Sequence, residues 1–163
     1  MRSTTSRREG GLARTIGFWK NWASCASSGG NQKPALDQTL AAAEPAGITI
    51  GTLTLHGARV KPNTAPDCLK AVRLLNKSTI DTGKKMSSDP AFNLAAQLLA
   101  AKLNVTAGAG TCPAAVSAIN DAQTLLAAVH FNGITHDRLT AAQTTQANNL
   151  ATTLDRYNNN LLC

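Results

Sequence analysis

Four cysteines, Cys25, Cys68, Cys112 and Cys163, stand at wide and similar intervals along a chain of 163 residues. No other feature limits the fold as strongly. Zinc ligands usually come in pairs about two to four residues apart, because one tight turn must aim both at the metal, and no such pair occurs here. An even count at wide spacing reads instead as two disulfides, and so as an oxidising compartment outside the cytoplasm. Cys163 is the last residue shown, and a staple there would pin an end that otherwise frays. The contrary reading is four reduced, buried thiols in a cytosolic chain.

Helix signals then suggest which sulfurs meet. Asp89-Pro90 is a strong start, a capping carboxylate followed by proline at the first helical position. Behind it Phe92, Ala95, Ala96, Leu99 and Leu103 form one stripe, which Leu94 and Leu98 widen until burial on more than one side is implied. Thr111-Cys112-Pro113 opens a helix to about Val129, with Val116, Ile119, Leu126 and Val129 expected inward. After a turn at residues 130–136, a last helix from about Asp137 to Asn158 carries a seam of Leu139, Ala142, Gln146, Leu150, Leu154 and Tyr157. Two helices of nearly equal length joined by a short loop run antiparallel, which returns Cys163 to the start of the helix that Cys112 opens. That pairs Cys112 with Cys163 and, by elimination, Cys25 with Cys68.

The earlier part of the chain is less regular. Residues 1–14, rich in Ser, Thr, Arg and Gly, read as a flexible basic arm, and 15–163 as a single helical domain. Ser27 to Lys33 is a polar loop, and Pro34 precedes a short helix over Ala35 to Ala43. Ile48-Thr49-Ile50 and Leu53-Thr54-Leu55 alternate about Gly51-Thr52, the pattern of a small hairpin with a type II′ turn. The loop from Gly57 leads to Asp67, expected as the N-cap of a helix to about Lys77 with Leu69, Val72 and Leu75 inward. The expected fold is mainly α: a compact, disulfide-stapled bundle of four to five helices with one small β-hairpin.

Charge narrows the choice of partners. The formal net charge is +7, but Arg2, Arg7, Arg8 and Arg14 crowd the first fourteen residues and no helix carries a basic stripe interleaved with aromatics. Nucleic-acid binding is therefore not expected. No apolar stretch approaches a membrane span, and Met1 to Arg14 lacks the apolar run of a signal peptide. An exported chain would then have been processed, or would continue upstream of what is shown. Only 15% of residues are charged and 4% aromatic, so hydroxyls and amides must hydrate much of the surface. Such a surface defends weakly against self-association.

The stretch Thr15-Ile16-Gly17-Phe18-Trp19-Lys20-Asn21 resembles the Gly-Tyr-Trp-Lys-Asn-His-Pro motif of uncharacterised domains in secreted bacterial surface proteins. The Leu53-Thr54-Leu55 region, the run Leu98 to Asn104 (LLAAKLN) before Cys112-Pro113, and Leu154 to Asn159 before Cys163 resemble the same family in the same order. The resemblance implies an extracellular setting, often beside adhesive or repeat-bearing segments, and no activity. Trp22 stands where that motif has His, which counts against a metal ligand at this position.

Among candidate residues, Phe18, Trp19 and Trp22 lead. Spacing of three puts both indoles on one helical face, able to stack on a sugar or a partner; the plainer reading makes them a lid on a core poor in aromatics. His130, His136 and Asp137 match no helical ligand pair, and no metal or other cofactor is expected. With nine carboxylates, of which Asp67, Asp89 and Asp137 serve as helix caps, and no nucleophile elbow or phosphate loop, the chain does not read as an enzyme. Asn76 and Asn104 open N-glycosylation sequons, so attached glycans are a candidate modification. The expectation is an extracellular structural or assembly module at the cell surface, binding copies of itself in a filament or surface layer. Arg7, Arg8 and the aromatic cluster would serve as its contacts. The alternative is a carbohydrate-binding or adhesion module.

Overall fold

The computed structural model describes residues 11–26, 34–57 and 66–163. In chain order the described residues form α1 (Ile16–Asn21), α2 (Ala35–Ala42), β1 (Ile48–Ile50), β2 (Leu53–Leu55), α3 (Pro66–Leu75), α4 (Pro90–Thr106), α5 (Pro113–Ala128) and α6 (Ala141–Asn158). The architecture is mainly helical, with one small antiparallel hairpin and two disulfides. Its helix count exceeds the expected four to five because the aromatic stretch closes one short helix of its own, α1, capped by the Thr15 hydroxyl accepting from Phe18 N.

Helix α4 is the axis of the molecule. It packs against α1, α2, α3, α5, α6 and β1, and Phe92, Leu94, Leu98, Leu99 and Leu103 are fully buried along it. The broad apolar stripe read from its sequence is thus buried on several sides. Asp89 caps it as expected, accepting from Ala91 N at 2.8 Å with Pro90 at the first position. At the far side of the core Phe92 meets Phe131 edge-on, ring centroids 5.0 Å apart, a geometry that adds to the area both rings bury.

The disulfides join Cys25 to Cys68 and Cys112 to Cys163. The second fastens the start of α5 to the end of the segment after α6, as the antiparallel pair requires. The first fastens the aromatic segment to α3. The hairpin pairs Ile48 with Leu55 and Ile50 with Leu53. Its tip is held by two residues: Gln123 of α5 accepts from Gly51 N and donates to Gly51 O, while Phe131 O accepts from Thr52 N and the Thr52 hydroxyl. Gly51 sits at φ 64°, and a Cβ there would lie 2.6 Å from Phe131 O, so only glycine fits this turn.

Several inward faces differ from expectation, and on α5 alanines take the buried positions in place of larger side chains. On α5, Ala115, Ala118 and Ala122 are buried while Val116 is 44% exposed. On α3 the buried residues are Cys68, Ala71, Leu74 and Leu75, and Leu69 faces out. On α6, Ala147, Leu154, Tyr157 and Asn158 are buried, whereas Ala142 and Gln146 are exposed. Asp137 does not start α6. Its N-cap is Thr140, three residues later, where Thr140 and Gln143 form a reciprocal capping box that satisfies two orphan N–H groups. Asp67 likewise lies inside the first turn of α3, and its carboxylate accepts from His56 N at 2.6 Å.

Candidate functional site

The aromatic segment and the end of α4 meet at Asn104. This side chain is 1% exposed and uses its full bonding capacity. Its Oδ1 accepts from Arg14 N at 2.7 Å and Trp19 Nε1 at 3.1 Å; its Nδ2 donates to Arg14 O at 2.8 Å and Asn158 Oδ1 at 3.0 Å. Asn158 in turn donates to the Gln97 backbone and side-chain oxygens. Asn104 is therefore no glycan acceptor in the folded chain: its amide nitrogen is committed and there is no room for a sugar. The sequon reading stands only for Asn76, which is exposed and whose Oδ1 accepts from Lys20 and Lys85.

The same bonds correct the boundary of the N-terminal arm. Gly11 to Arg14 do not hang free. Gly11 exchanges backbone bonds with Gly108 and Gly110, Ala13 is buried and bonds both ways with the Asn160 side chain, and Arg14 is clasped by Asn104. Sequence composition misjudged these residues because the partners that hold them lie about ninety or more positions away. Arg7 and Arg8, together with the rest of residues 1–10, lie outside the described residues.

The two tryptophans do not share a face. Trp19 is 2% exposed and belongs to the core. Trp22, the C-cap of α1, is half-buried and stacks on Phe18, centroids 5.5 Å apart at 18°. The Arg14 guanidinium covers the Phe18 ring at 4.9 Å, and Trp19 meets its edge. Beside them opens a cleft of about 330 Å³ whose lining includes Leu12, Arg14, Phe18 and Gln38. Leu12 and Leu161, 70% and 63% exposed, each sit next to a member of the Ala13–Asn160 clasp.

Each histidine faces a carboxylate. His130 Nδ1 lies 2.6 Å from Asp137 Oδ2, His136 Nε2 lies 2.7 Å from Asp89 Oδ2, and His56 Nδ1 lies 2.9 Å from Glu44 Oε2. His136 and His130 are thus claimed by different acids, and His136 braces the cap of α4. Among the described residues no group of three or more His, Cys, Asp or Glu side chains gathers as metal ligands would. Among them, too, no helix is long and apolar enough to cross a membrane.

One residue that sequence reading passed over carries the sharpest electrostatic feature. Lys102, half-buried on α4, donates to Thr49 O at 2.6 Å and Gln123 Oε1 at 3.2 Å. It lines a cavity of about 440 Å³ between β1, α4 and α5. Burial pulls its pKa down from the ordinary 10.5, because the ammonium has lost part of its water. The signal was present in the run LLAAKLN, a single charge in a helix otherwise buried nearly all round. Compared with known proteins, the chain matches no family model, no curated protein and no solved structure.

Proposed function

We propose that this chain is a non-catalytic, extracellular structural module that associates with copies of itself. Two cross-links support the compartment and the durability, since disulfides persist where thiols are not kept reduced. Asp89 and Asp137, acids that would be candidates for chemistry, are taken up by the cap of α4 and by hydrogen bonds with His136 and His130.

The observation that carries self-association is the pair Leu12 and Leu161. They are the most exposed large apolar side chains among the described residues, and they flank one clasp. Large apolar side chains this exposed on a weakly charged surface are suited to contact with another copy. A second copy, presenting the same edge, would cover them in an isologous contact.

Light scattering after size exclusion, with negative-stain electron microscopy, tests this. The disulfide-intact protein is expected to grow in mass with concentration, and Leu12→Ser with Leu161→Ser to remain monomeric. A dispersed monomer at every concentration overturns the reading. Intact mass with and without reductant tests the compartment; four free thiols in native material would remove its basis.

The carbohydrate-binding alternative has less geometric support. Trp19 is in the core, and Phe18 is already covered by Trp22 and Arg14. A tryptophan emission that is blue-shifted, protected from quenchers and unmoved by glycans is the expected result; a glycan-induced shift would restore that alternative.

A further inference from the structure

The cavity between β1, α4 and α5 joins an apolar wall to an unanswered charge. Ile48, Val105, Val116 and Ile119 line it, with Lys102 and Thr49 as its polar corner. Val105 and Val116 are 42% and 44% exposed, so its mouth has apolar lips. Its volume of about 440 Å³ lies within the roughly 300–1,000 Å³ of small-molecule sites.

The ammonium has three N–H donors. Two meet Thr49 O and Gln123 Oε1, both neutral acceptors, and no lining residue is an aspartate or glutamate. Lys102 makes no ion pair among the described residues. Gln123 is itself fixed, because the same side chain holds both polar groups of Gly51. The lysine is therefore positioned by the hairpin while its charge has no counter-ion among the described residues.

We propose that this cavity binds a small amphipathic carboxylate, its apolar body against Ile48, Val105, Val116 and Ile119 and its anionic end on Lys102 Nζ. A neutral ligand of the same shape would bury the same surface and leave the ammonium unpaired. A carboxylate supplies the missing partner through a charge-assisted hydrogen bond. A cationic amphiphile would add a second unpaired charge to the pocket. The site is independent of the self-association proposed above, since Leu12 and Leu161 do not line it.

The test uses the disulfide-intact chain and octanoate, with benzoate as a shorter, rigid probe. Acetate, octanol and octylamine serve as controls in isothermal titration. Octanoate or benzoate is expected to bind saturably at one site, octanol about tenfold more weakly or worse, and acetate and octylamine not measurably. Amide shifts in a nitrogen-15 correlation spectrum are expected at residues 48, 105, 116 and 119. Lys102→Met keeps the stem and removes the charge, and is expected to weaken octanoate at least about tenfold. Should that variant misfold, Val116→Glu, at an exposed rim position, sets a carboxylate against the ligand and is expected to weaken octanoate with Lys102 intact. Equal binding of octanol and octanoate, undiminished binding to Lys102→Met, shifts confined to the Phe18 and Trp22 cleft, or no saturable binding of either carboxylate would each overturn the proposal.

Discussion

Asn104 and Lys102 stand two positions apart on α4, each bringing polar atoms into a helix that is mostly apolar, and the molecule answers them in opposite ways. Around Asn104 every donor and acceptor is matched, by a strap from one end of the chain, an indole and a second asparagine. Around Lys102 the two hydrogen bonds go to neutral oxygens, the charge is unpaired among the described residues, and the neighbouring space is a cavity in place of packed side chains. Burying a neutral amide is tolerable when it is fully bonded, whereas a charge needs a counter-ion to offset its lost hydration. The first arrangement specifies a fold. The second costs stability and is the mark of a group held for something outside the protein.

Stability measurements should separate the two sharply. Asn104→Leu has the largest expected effect, a loss of about 3 kcal/mol in urea unfolding, because the Trp19 indole N–H, both Arg14 backbone groups and Asn158 Oδ1 lose a buried partner at once. It should also release the strap, seen as faster hydrogen exchange at the Ala13 and Arg14 amides. A loss under about 1 kcal/mol would mean that the clasp is not the support described here. Trp19→Phe sharpens the point. It keeps an aromatic ring in the core but removes one of two donors to Asn104 Oδ1, so a loss of about 1–2 kcal/mol is expected in the same assay.

These residues also show where local sequence pattern stops being informative. The Cys112–Cys163 pairing could be read because it depends on two helix lengths and one short loop, all local quantities. The cap at Asp89-Pro90 and the hairpin at Gly51-Thr52 follow from neighbouring residues alone in the same way. Asn104 has the local pattern of a sequon, and nothing within several positions reveals that Arg14, Trp19 and Asn158 converge on it. Val116 and Leu69 were placed inward because large apolar residues outrank alanine in any periodicity count, although close helix contacts favour the small side chain. The start of α6 is a different kind of miss. Thr140 and Gln143 are a capping box legible in the sequence, and Asp137 is a competing cap signal three residues before it. The cavity at Lys102 depends on how β1 lies against α4 and α5, a tertiary fact that no local window contains.

Lys102→Met completes the contrast from the weak side. Removing the charge sacrifices two hydrogen bonds but relieves the desolvation of an unpaired ammonium, so stability at neutral pH is expected to stay within about 1 kcal/mol of the parent. A loss comparable to that of Asn104→Leu would mean that Lys102 is structural after all, and the distinction between the two sites would collapse.

The smallest effect is the most diagnostic, and it lies in the pH dependence of that same difference. Because burial lowers the Lys102 pKa in the folded chain below 10.5, the unfolded chain holds the proton more tightly than the folded one. Below the lowered folded value both states are protonated, and the folded state bears the full desolvation penalty. As pH rises from the lowered folded value towards 10.5, the folded lysine gives up its proton first and the penalty disappears, so this group's contribution raises stability with pH. All other titrating groups are common to parent and variant, and the difference in urea midpoint between the two cancels them to first order. That difference should move in favour of the parent as pH rises towards 10.5 and level off above it. A saturating carboxylate that pairs with the ammonium should raise the pKa and push the movement to higher pH, whereas octanol should leave it where it is. If the difference is flat across the whole range, the ammonium is as well hydrated in the fold as out of it, and Lys102 belongs with the ordinary surface lysines.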